Sequence, residues 1–326
     1  MEVITIEAGQ VFPQLKGENA KVKIPFGQYD DNDPEDQRLK ALIPAVDPYY
    51  RFPGRQVISL LLAFANRDNV LLVGSTGVGK TMLGMQLAAK VMLPAVRLNL
   101  HGELGSPELF GYFGLSNPNI LNDDGWKWTT LTKAIQHPCV LLLDEWDSIR
   151  AELSIGLQRL LEDHQPGVML PERDQFIPRH KDCIIIATAN TRGLGDETGL
   201  YAGTGAQNFA QLNRFHLVME MEPLPPKNLA QILEKVEFYN QSLKPELVDA
   251  LTKFYAATLS SWEQNGLSTP ISVRMMLHFA KYFLVLKYEA LGMTILSKLP
   301  TARDREIMLG IADRFNFVDP NRTAAK

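Results

Sequence analysis

A glycine-rich segment that ends in Lys80 and Thr81 carries the side chains best suited to phosphate chemistry. It follows an apolar run, Val70 to Val73, and precedes a segment with helical periodicity. Glycines let main-chain N–H groups surround phosphate oxygens, a lysine can contact the terminal phosphates, and a threonine hydroxyl can ligate Mg²⁺. This strand–loop–helix context is the one that a phosphate-binding P-loop requires, and it disfavours the alternative of an ordinary glycine-rich turn. The predicted phosphate-binding residues are Gly74, Ser75, Thr76, Gly77, Val78, Gly79, Lys80 and Thr81.

Two carboxylates, Asp144 and Glu145, follow the apolar run Val140 to Leu143. Asp144 can hold Mg²⁺ together with Thr81, and Glu145 can polarise a water molecule that attacks a phosphate. Acidic residues at strand ends are usually just solvated, but the upstream P-loop favours a catalytic pair. The two motifs together predict hydrolysis of ATP, with Mg²⁺ as the metal.

Three further polar residues are candidates for the same chemistry. Asn190 ends the apolar strand that begins at Ile184 and can orient the attacking water; its alternative role is to form a turn. Arg214 can reach the phosphate of a neighbouring subunit as an arginine finger, or lie on the surface. Arg274, near the start of an amphipathic helix, can contact the phosphate of its own subunit, or be solvated.

Short apolar runs alternate with helical patterns from Arg55 to Glu222, which predicts an α/β fold with a parallel sheet covered by helices. After Pro223 the pattern changes to helices alone. The predicted domains are an N-terminal extension (1–54), a nucleotide-binding core (55–222) and a smaller all-helical domain (223–326).

The composition narrows the functional classes. The chain of 326 residues has a formal net charge of −4 and no long basic stretch, which disfavours nucleic acid as a partner. Cys139 and Cys183 lie in apolar runs and are expected to be buried, reduced thiols. No signal-peptide pattern and no membrane-spanning run is present, so the expected location is the cytoplasm.

Four stretches resemble the MoxR branch of AAA+ ATPases, which includes the ATPase subunit of aerobic cobaltochelatases. They are GSTGVGKT, LLLDEWD, STPISVR and the long segment from IIIATAN to QLNRF. The resemblance implies an AAA+ αβα core with a helical lid, and it implies Asn190 as sensor 1, Arg214 as arginine finger and Arg274 as sensor 2. It also implies a homo-oligomeric ring, usually a hexamer, and a partner with a von Willebrand A domain. The client would be another protein, such as a large chelatase subunit.

By the same analogy, two regions are expected to face the pore or the partner. One is an insert from Leu104 to Trp128 with the aromatic pair Trp126 and Trp128; the other is a predicted hairpin from Gly167 to Ile177. The alternative for the aromatic residues is packing onto the sheet.

Competing functions remain open at this stage. One is a nucleic-acid motor, such as a helicase or a restriction-type translocase, which would need a basic pore or a DNA-binding module. Another is a MoxR-type chaperone of a phage or defence system. A third is a nucleotide switch without catalysis, for which Glu145 and Arg214 would be superfluous.

Overall fold

The computed structural model describes residues 1–115, 125–191 and 209–320, which form two compact units. The first unit comprises Met1–Asp47, Phe52–Gly74 and Lys80–Glu220. The second comprises Pro48–Arg51, Ser75–Gly79 and the chain from Met221 onward. Each unit has its own hydrophobic core.

The N-terminal segment is more ordered than its weak periodicity indicates. Strands β1 (Glu2–Glu7) and β2 (Lys23–Gln28) pair antiparallel, and the helices are α1 (Ala8–Val11) and α2 (Pro34–Lys40). Several hydrogen bonds attach this segment to the core, among them Gly27 N–H to the Val91 carbonyl (3.0 Å) and the Tyr29 hydroxyl to the Met92 carbonyl (2.8 Å). Because these partners lie more than sixty residues apart in sequence, local patterns do not reveal the contact.

A five-stranded parallel sheet forms the centre of the first unit. Its strand order is β11-β3-β10-β7-β4, and every neighbouring pair is parallel, which confirms the predicted α/β fold. All residues of β7 and β10 are buried, as expected for strands that helices cover on both faces. The elements from residue 54 to 220 are α3 (Gly54–Asn66), β3 (Val70–Val73), α4 (Lys80–Lys90), β4 (Ala95–Asn99), α5 (Ser106–Phe110), β5 (Tyr112–Phe113), β6 (Trp126–Lys127), α6 (Thr130–Ala134), β7 (Cys139–Asp144), α7 (Ala151–Gln158), β8 (Gly167–Leu170), β9 (Gln175–Pro178), β10 (Cys183–Ala189), α8 (Phe209–Leu212) and β11 (Leu217–Glu220).

Cys139 and Cys183 pair in register at the start of β7 and β10. Their Sγ atoms are 3.7 Å apart, and both thiols are free and buried. Their mutual hydrogen bond and their burial raise the pKa of the Cys139 thiol well above its ordinary value. They occupy the end of the sheet opposite to the carboxylates of β7.

Two small hairpins flank the sheet. The predicted hairpin is confirmed: β8 and β9 pair antiparallel, from Gly167↔Pro178 to Leu170↔Gln175. In the insert, β5 pairs with β6, and the Trp126 side chain is buried against the core, as packing onto the sheet requires. Residues 116–124, at the centre of the insert, lie outside the described residues.

The second unit is helical after Glu222, which confirms the predicted helical C-terminal part. Its core contains a group of aromatic rings among aliphatic side chains, and the Phe317 ring centroid lies 5.1 Å from that of Phe279 and 5.3 Å from that of Phe254. A two-residue β ladder interrupts the helices because Tyr239 and Asn240 both have positive φ (54° and 58°), as a tight hairpin turn requires. Its elements are α9 (Pro226–Leu233), β12 (Glu237–Phe238), β13 (Gln241–Ser242), α10 (Pro245–Glu263), α11 (Val273–Leu286), α12 (Glu289–Thr294) and α13 (Ala302–Asp313).

No described helix combines the length and the apolar character needed to cross a bilayer.

Candidate functional site

Lys80, the first residue of α4, lies at the edge of the sheet where the parallel strands end. Its Nζ is 2.9 Å from Asn190 Oδ1 and also donates to the Gly74 carbonyl. Burial lowers the pKa of Lys80 to about 8, against the opposing effect of the Asp147, Asp144 and Glu145 carboxylates. The ammonium is therefore largely protonated at neutral pH and is partly removed from water.

Asp144 ends β7 and contacts the neighbouring threonine. Thr81 Oγ1 is 2.8 Å from Asp144 Oδ1 and 3.2 Å from Oδ2. A hydroxyl and a carboxylate at this distance are the hard oxygen donors that Mg²⁺ prefers, so the pair fits a magnesium site. The two motifs that the sequence assigned to one triphosphate therefore meet at the same edge of the sheet.

Arg97 is a contact of Asp144 that the sequence reasoning missed. Its Nε lies 2.6 Å from Asp144 Oδ2, and its Nη2 contacts the same oxygen. Arg97 pairs in register with Leu142, two residues before Asp144, so both side chains lie on the same face of the sheet. The alternation of side chains along β4 indicates which face Arg97 occupies. Only the pairing of β4 with β7 shows that Asp144 lies on the same face.

Glu145 occupies an unusual main-chain conformation directly after the strand. It has φ 59° and ψ 44°, the left-handed region that non-glycine residues seldom adopt. Its N–H donates to Thr188 Oγ1 (3.2 Å), and the same hydroxyl donates to Asp144 Oδ1. Glu145 is exposed whereas Asp144 is buried, so the two carboxylates have different access to water.

Asn190 is held by a third carboxylate, that of Asp147. Asp147 is fully buried, and its Oδ2 accepts the main-chain N–H groups of Asn190 and Thr191, each at 2.9 Å. This fixes the loop after β10 with the Asn190 amide oxygen at Lys80. The role of Asp147 was not predicted from the sequence, although it is the last acidic residue of the DEWD stretch.

The loop residues Ser75–Gly79 group with the second unit. Gly77 and Gly79 have φ of 85° and 98°, which favour glycine. A Cβ on Gly77 would stand 2.4 Å from the Ser272 Cβ, so this glycine is also required by close packing. Ser272 caps α11 by accepting the Met275 N–H (3.1 Å).

Arg214, one of the two arginine candidates, does not belong to this cluster. Arg214 lies before β11, at the edge where the parallel strands begin, and its Nη2 is 3.9 Å from Glu162 Oε1. Arg274 is the second residue of α11 in the second unit and is exposed. The glycine-rich run between Asn190 and Arg214, residues 192–208, lies outside the described residues.

This chain is similar in sequence to several proteins whose family is known. Residues 69–205 match the AAA domain of the dynein-related subfamily. The aerobic cobaltochelatase subunit CobS of Sinorhizobium sp is 31% identical over 242 residues, which cover 74% of this chain and 73% of that protein. Protein NorQ of Paracoccus denitrificans is 32% identical over 122 residues, 37% of this chain and 44% of that protein. A solved S. cerevisiae Hsp104:casein complex aligns with 72% of this chain and 45% of its own, at 18% identity and a TM-score of 0.46. By its phosphate loop, its parallel sheet and its likeness to CobS and NorQ, the chain belongs to the MoxR branch of the AAA+ ATPases.

Proposed function

We propose that this chain is an ATP-hydrolysing ring motor that remodels or activates a partner protein. The observation that carries the proposal is the contact of phosphate-loop side chains with the ends of the central strands. Thr81 Oγ1 is 2.8 Å from Asp144 Oδ1, and Lys80 Nζ is 2.9 Å from Asn190 Oδ1. Phosphoryl transfer depends above all on such positioned charges.

The residues of one subunit have separate roles in this proposal. Lys80 contacts the terminal phosphates through its ammonium, and the main-chain N–H groups of the loop surround them. Thr81 and Asp144 hold Mg²⁺, which when bound neutralises charge on the phosphate oxygens. Glu145 polarises the attacking water, and Asn190 orients it.

Arg214 is proposed to act on the nucleotide of a neighbouring subunit. The register of β11 with β3 sets Arg214 before the level of Val70, whereas Lys80 follows the loop beyond Val73. A strand rises about 3.3 Å per residue, so the length of β3 alone separates the two edges by about 10 Å. An arginine at the far edge is suited to a phosphate that another copy of the chain brings to it.

The second unit supplies the remaining proposed contact. Arg274, an exposed residue in the first turn of α11, would contact the phosphate of its own subunit and link the helical unit to the nucleotide state. Loss of the terminal phosphate would then change the position of this unit, a hinge motion of the kind that drives many nucleotide-dependent machines.

The proposed assembly is a homo-oligomeric ring, most simply a hexamer. One relative is a subunit of an aerobic cobaltochelatase, which supports a role in metal insertion. The proposed partners in that role are a von Willebrand A domain protein and a large chelatase subunit. Recovery of such partners with a Glu145→Gln trap, identified by mass spectrometry, would test this finer proposal. Stimulation of hydrolysis by DNA, with no protein client recovered, would favour a nucleic-acid motor instead.

A mixing experiment tests the motor itself. Glu145→Gln should bind Mg·ATP but hydrolyse it about a hundredfold or more slowly, because the attacking water loses its base. Arg214→Ala should also bind and fail to hydrolyse. Mixed together, the two variants should recover activity, since one supplies Glu145 and the other supplies Arg214 at a shared interface. Wild-type turnover by Glu145→Gln would contradict the role of Glu145, and no recovery in the mixture would contradict the role of Arg214 in trans.

A further inference from the structure

Asn69 is the residue before β3 and lies at the end of the sheet where the parallel strands begin, as Arg214 does. Its polar groups all form hydrogen bonds there. Its Nδ2 donates to the carbonyls of Leu161 (2.8 Å) and Arg214 (3.3 Å). Its Oδ1 accepts from Arg179 Nη1 (2.7 Å), and its main-chain N–H donates to His216 Nδ1 (2.9 Å). Only 1% of Asn69 is exposed. One buried residue, through its side chain and its main-chain N–H, therefore joins the start of β3 to Arg214 and His216.

The partners of Asn69 are themselves fixed. Arg179 is largely buried, which lowers the pKa of its guanidinium, and its Nη1 also donates to the Leu160 carbonyl (3.0 Å). His216 Nε2 lies 2.7 Å from Asp163 Oδ1, so its ring is held from both nitrogens. A buried amide without such partners would cost free energy, so this network favours a single arrangement of the segment.

Phe215 fixes the same segment from the core side. Its ring is 5% exposed and meets Trp146 edge to face, with ring centroids 5.4 Å apart. Residues 214–216 are therefore held through a carbonyl, an aromatic ring and an imidazole, while the Arg214 side chain stays about a quarter exposed. The main chain of this segment is therefore fixed, and part of the Arg214 side chain is accessible.

We propose that Asn69 is the positioning residue of the Arg214 finger, which it sets through the main chain of residues 214–216. This inference rests on the proposed action of Arg214 in trans. A displacement of about 1 Å in a catalytic group can lower a rate about a hundredfold, so a hydrogen bond to the finger's own carbonyl has a measurable effect.

The test uses the full chain carrying Asn69→Asp. This change keeps the shape of the side chain and the acceptor for Arg179, but it removes the two N–H donations to the Leu161 and Arg214 carbonyls. Asn66→Asp, at an exposed position on the last turn of α3, is the matched control. We expect Asn69→Asp to bind Mg·ATP as tightly as the wild type and to hydrolyse it about tenfold to a hundredfold more slowly. Asn66→Asp should hydrolyse at the wild-type rate.

Mixed assemblies separate a misplaced finger from a damaged fold. Asn69→Asp mixed with Glu145→Gln should recover hydrolysis, because the first subunit supplies Glu145 and the second supplies a correctly held finger. Asn69→Asp mixed with Arg214→Ala should not recover, because neither finger works. A subunit that is merely unfolded would fail in both mixtures.

Two results overturn different proposals. If Asn69→Asp hydrolyses ATP like the wild type while Arg214→Ala is inactive, Asn69 does not position the finger and the finger itself stands. If Arg214→Ala is fully active, the trans role fails and this inference fails with it.

Should Asn69→Asp prove unstable, the exposed His216 gives the decisive comparison. His216→Ala removes the acceptor of the Asn69 N–H and should slow hydrolysis, and His216→Asn, which places an oxygen near the lost Nδ1, should restore it. Equal rates for both variants and the wild type would overturn the inference.

Discussion

At the scale of single residues, the Asp144 carboxylate accepts contacts from three elements. Thr81 reaches it from α4, Arg97 from β4 and Thr188 from β10. Each contact limits the orientations that the carboxylate can take, so this proposed metal ligand is oriented before any ion binds. Thr188 has a second effect, because its hydroxyl also accepts the Glu145 N–H (3.2 Å) and so links both acidic residues.

Removal of the Thr188 hydroxyl should therefore slow hydrolysis more than it weakens binding. Thr188→Val keeps the volume but loses a hydrogen bond to a charged group, which typically contributes about 1.5–3 kcal/mol. We expect kcat to fall about tenfold or more, with a smaller change in KM, and Thr188→Ser to restore most of the loss. Steady-state kinetics of the two variants check this, and equal kcat values for them would contradict the bridging role.

Lys80 predicts a pH dependence of ATP binding. Burial lowers its pKa from 10.5 to about 8, so the nucleotide-free protein loses this positive charge as the pH rises through 8. A triphosphate needs the ammonium form, so binding must take up a proton above that pH. Between pH values of about 8 and 10.5, Lys80 is protonated in the unfolded chain but has released its proton in the folded chain. Burial of Lys80 therefore destabilises the folded state below pH 8, and this destabilisation is lost as the pH rises toward 10.5.

The expected result is that ATP affinity is constant near pH 7 and falls above pH 8, by about tenfold per unit at the steepest. Calorimetry in buffers of different ionisation enthalpy would show proton uptake at pH 9 and little at pH 7. An affinity that stays constant up to pH 9.5 would contradict the lowered pKa of Lys80.

At the scale of elements, the sequence predicted the features that depend on local pattern. The apolar runs of β7 and β10 and the residues that end them could be identified because a buried parallel strand is continuous in its hydrophobicity. The contacts of Arg97, Asp147 and Asn69 could not, because each depends on which strands or loops become neighbours. A single sequence does not show which strands and loops become neighbours.

An arginine in one of the two hairpins beside the sheet contacts the other hairpin. Arg173, at the turn between β8 and β9, places its guanidinium 5.5 Å from the Trp126 ring and 5.7 Å from the Trp128 ring. A guanidinium at such a distance stabilises the contact by about 0.5–1 kcal/mol. This is enough to favour one arrangement of a small hairpin, but it is too little to determine the stability of the whole fold. The hairpin predicted from sequence and the insert are therefore joined by a contact that no local pattern indicates.

Arg173→Ala should loosen both hairpins with little effect on the rest of the chain. We expect faster amide exchange in residues 167–178 and 125–128, and a change of only a few degrees in Tm. Glu172→Ala, an exposed neighbour on the same turn, is the control. Unchanged exchange in residues 125–128 would show that Arg173 does not join the two hairpins.

At the scale of the whole molecule, the proposed action of Arg214 in trans would make catalysis a property of the assembly. Lys80 and the proposed finger Arg214 lie at opposite ends of the strands of one sheet. A lone subunit would therefore hold the nucleotide without completing the site. Hydrolysis per subunit should depend on how many subunits are associated.

Dilution should reveal this dependence. Specific ATPase activity should fall as the protein is diluted through its association range, in parallel with the mass measured by light scattering. A specific activity that stays constant when the protein is monomeric would contradict a shared site. A parallel series with Arg214→Ala provides the background rate at each concentration.

The paired thiols of Cys139 and Cys183 give an internal reporter of how often the central sheet opens. A thiol reacts with an alkylating reagent as its thiolate, and these two are buried, with a raised pKa for Cys139. Modification then requires separation of the same two strands whose other ends carry Asp144 and Asn190. A ligand that binds only the folded form lowers the open population by mass action, so Mg·ATP at the strand ends should slow labelling at the opposite ends.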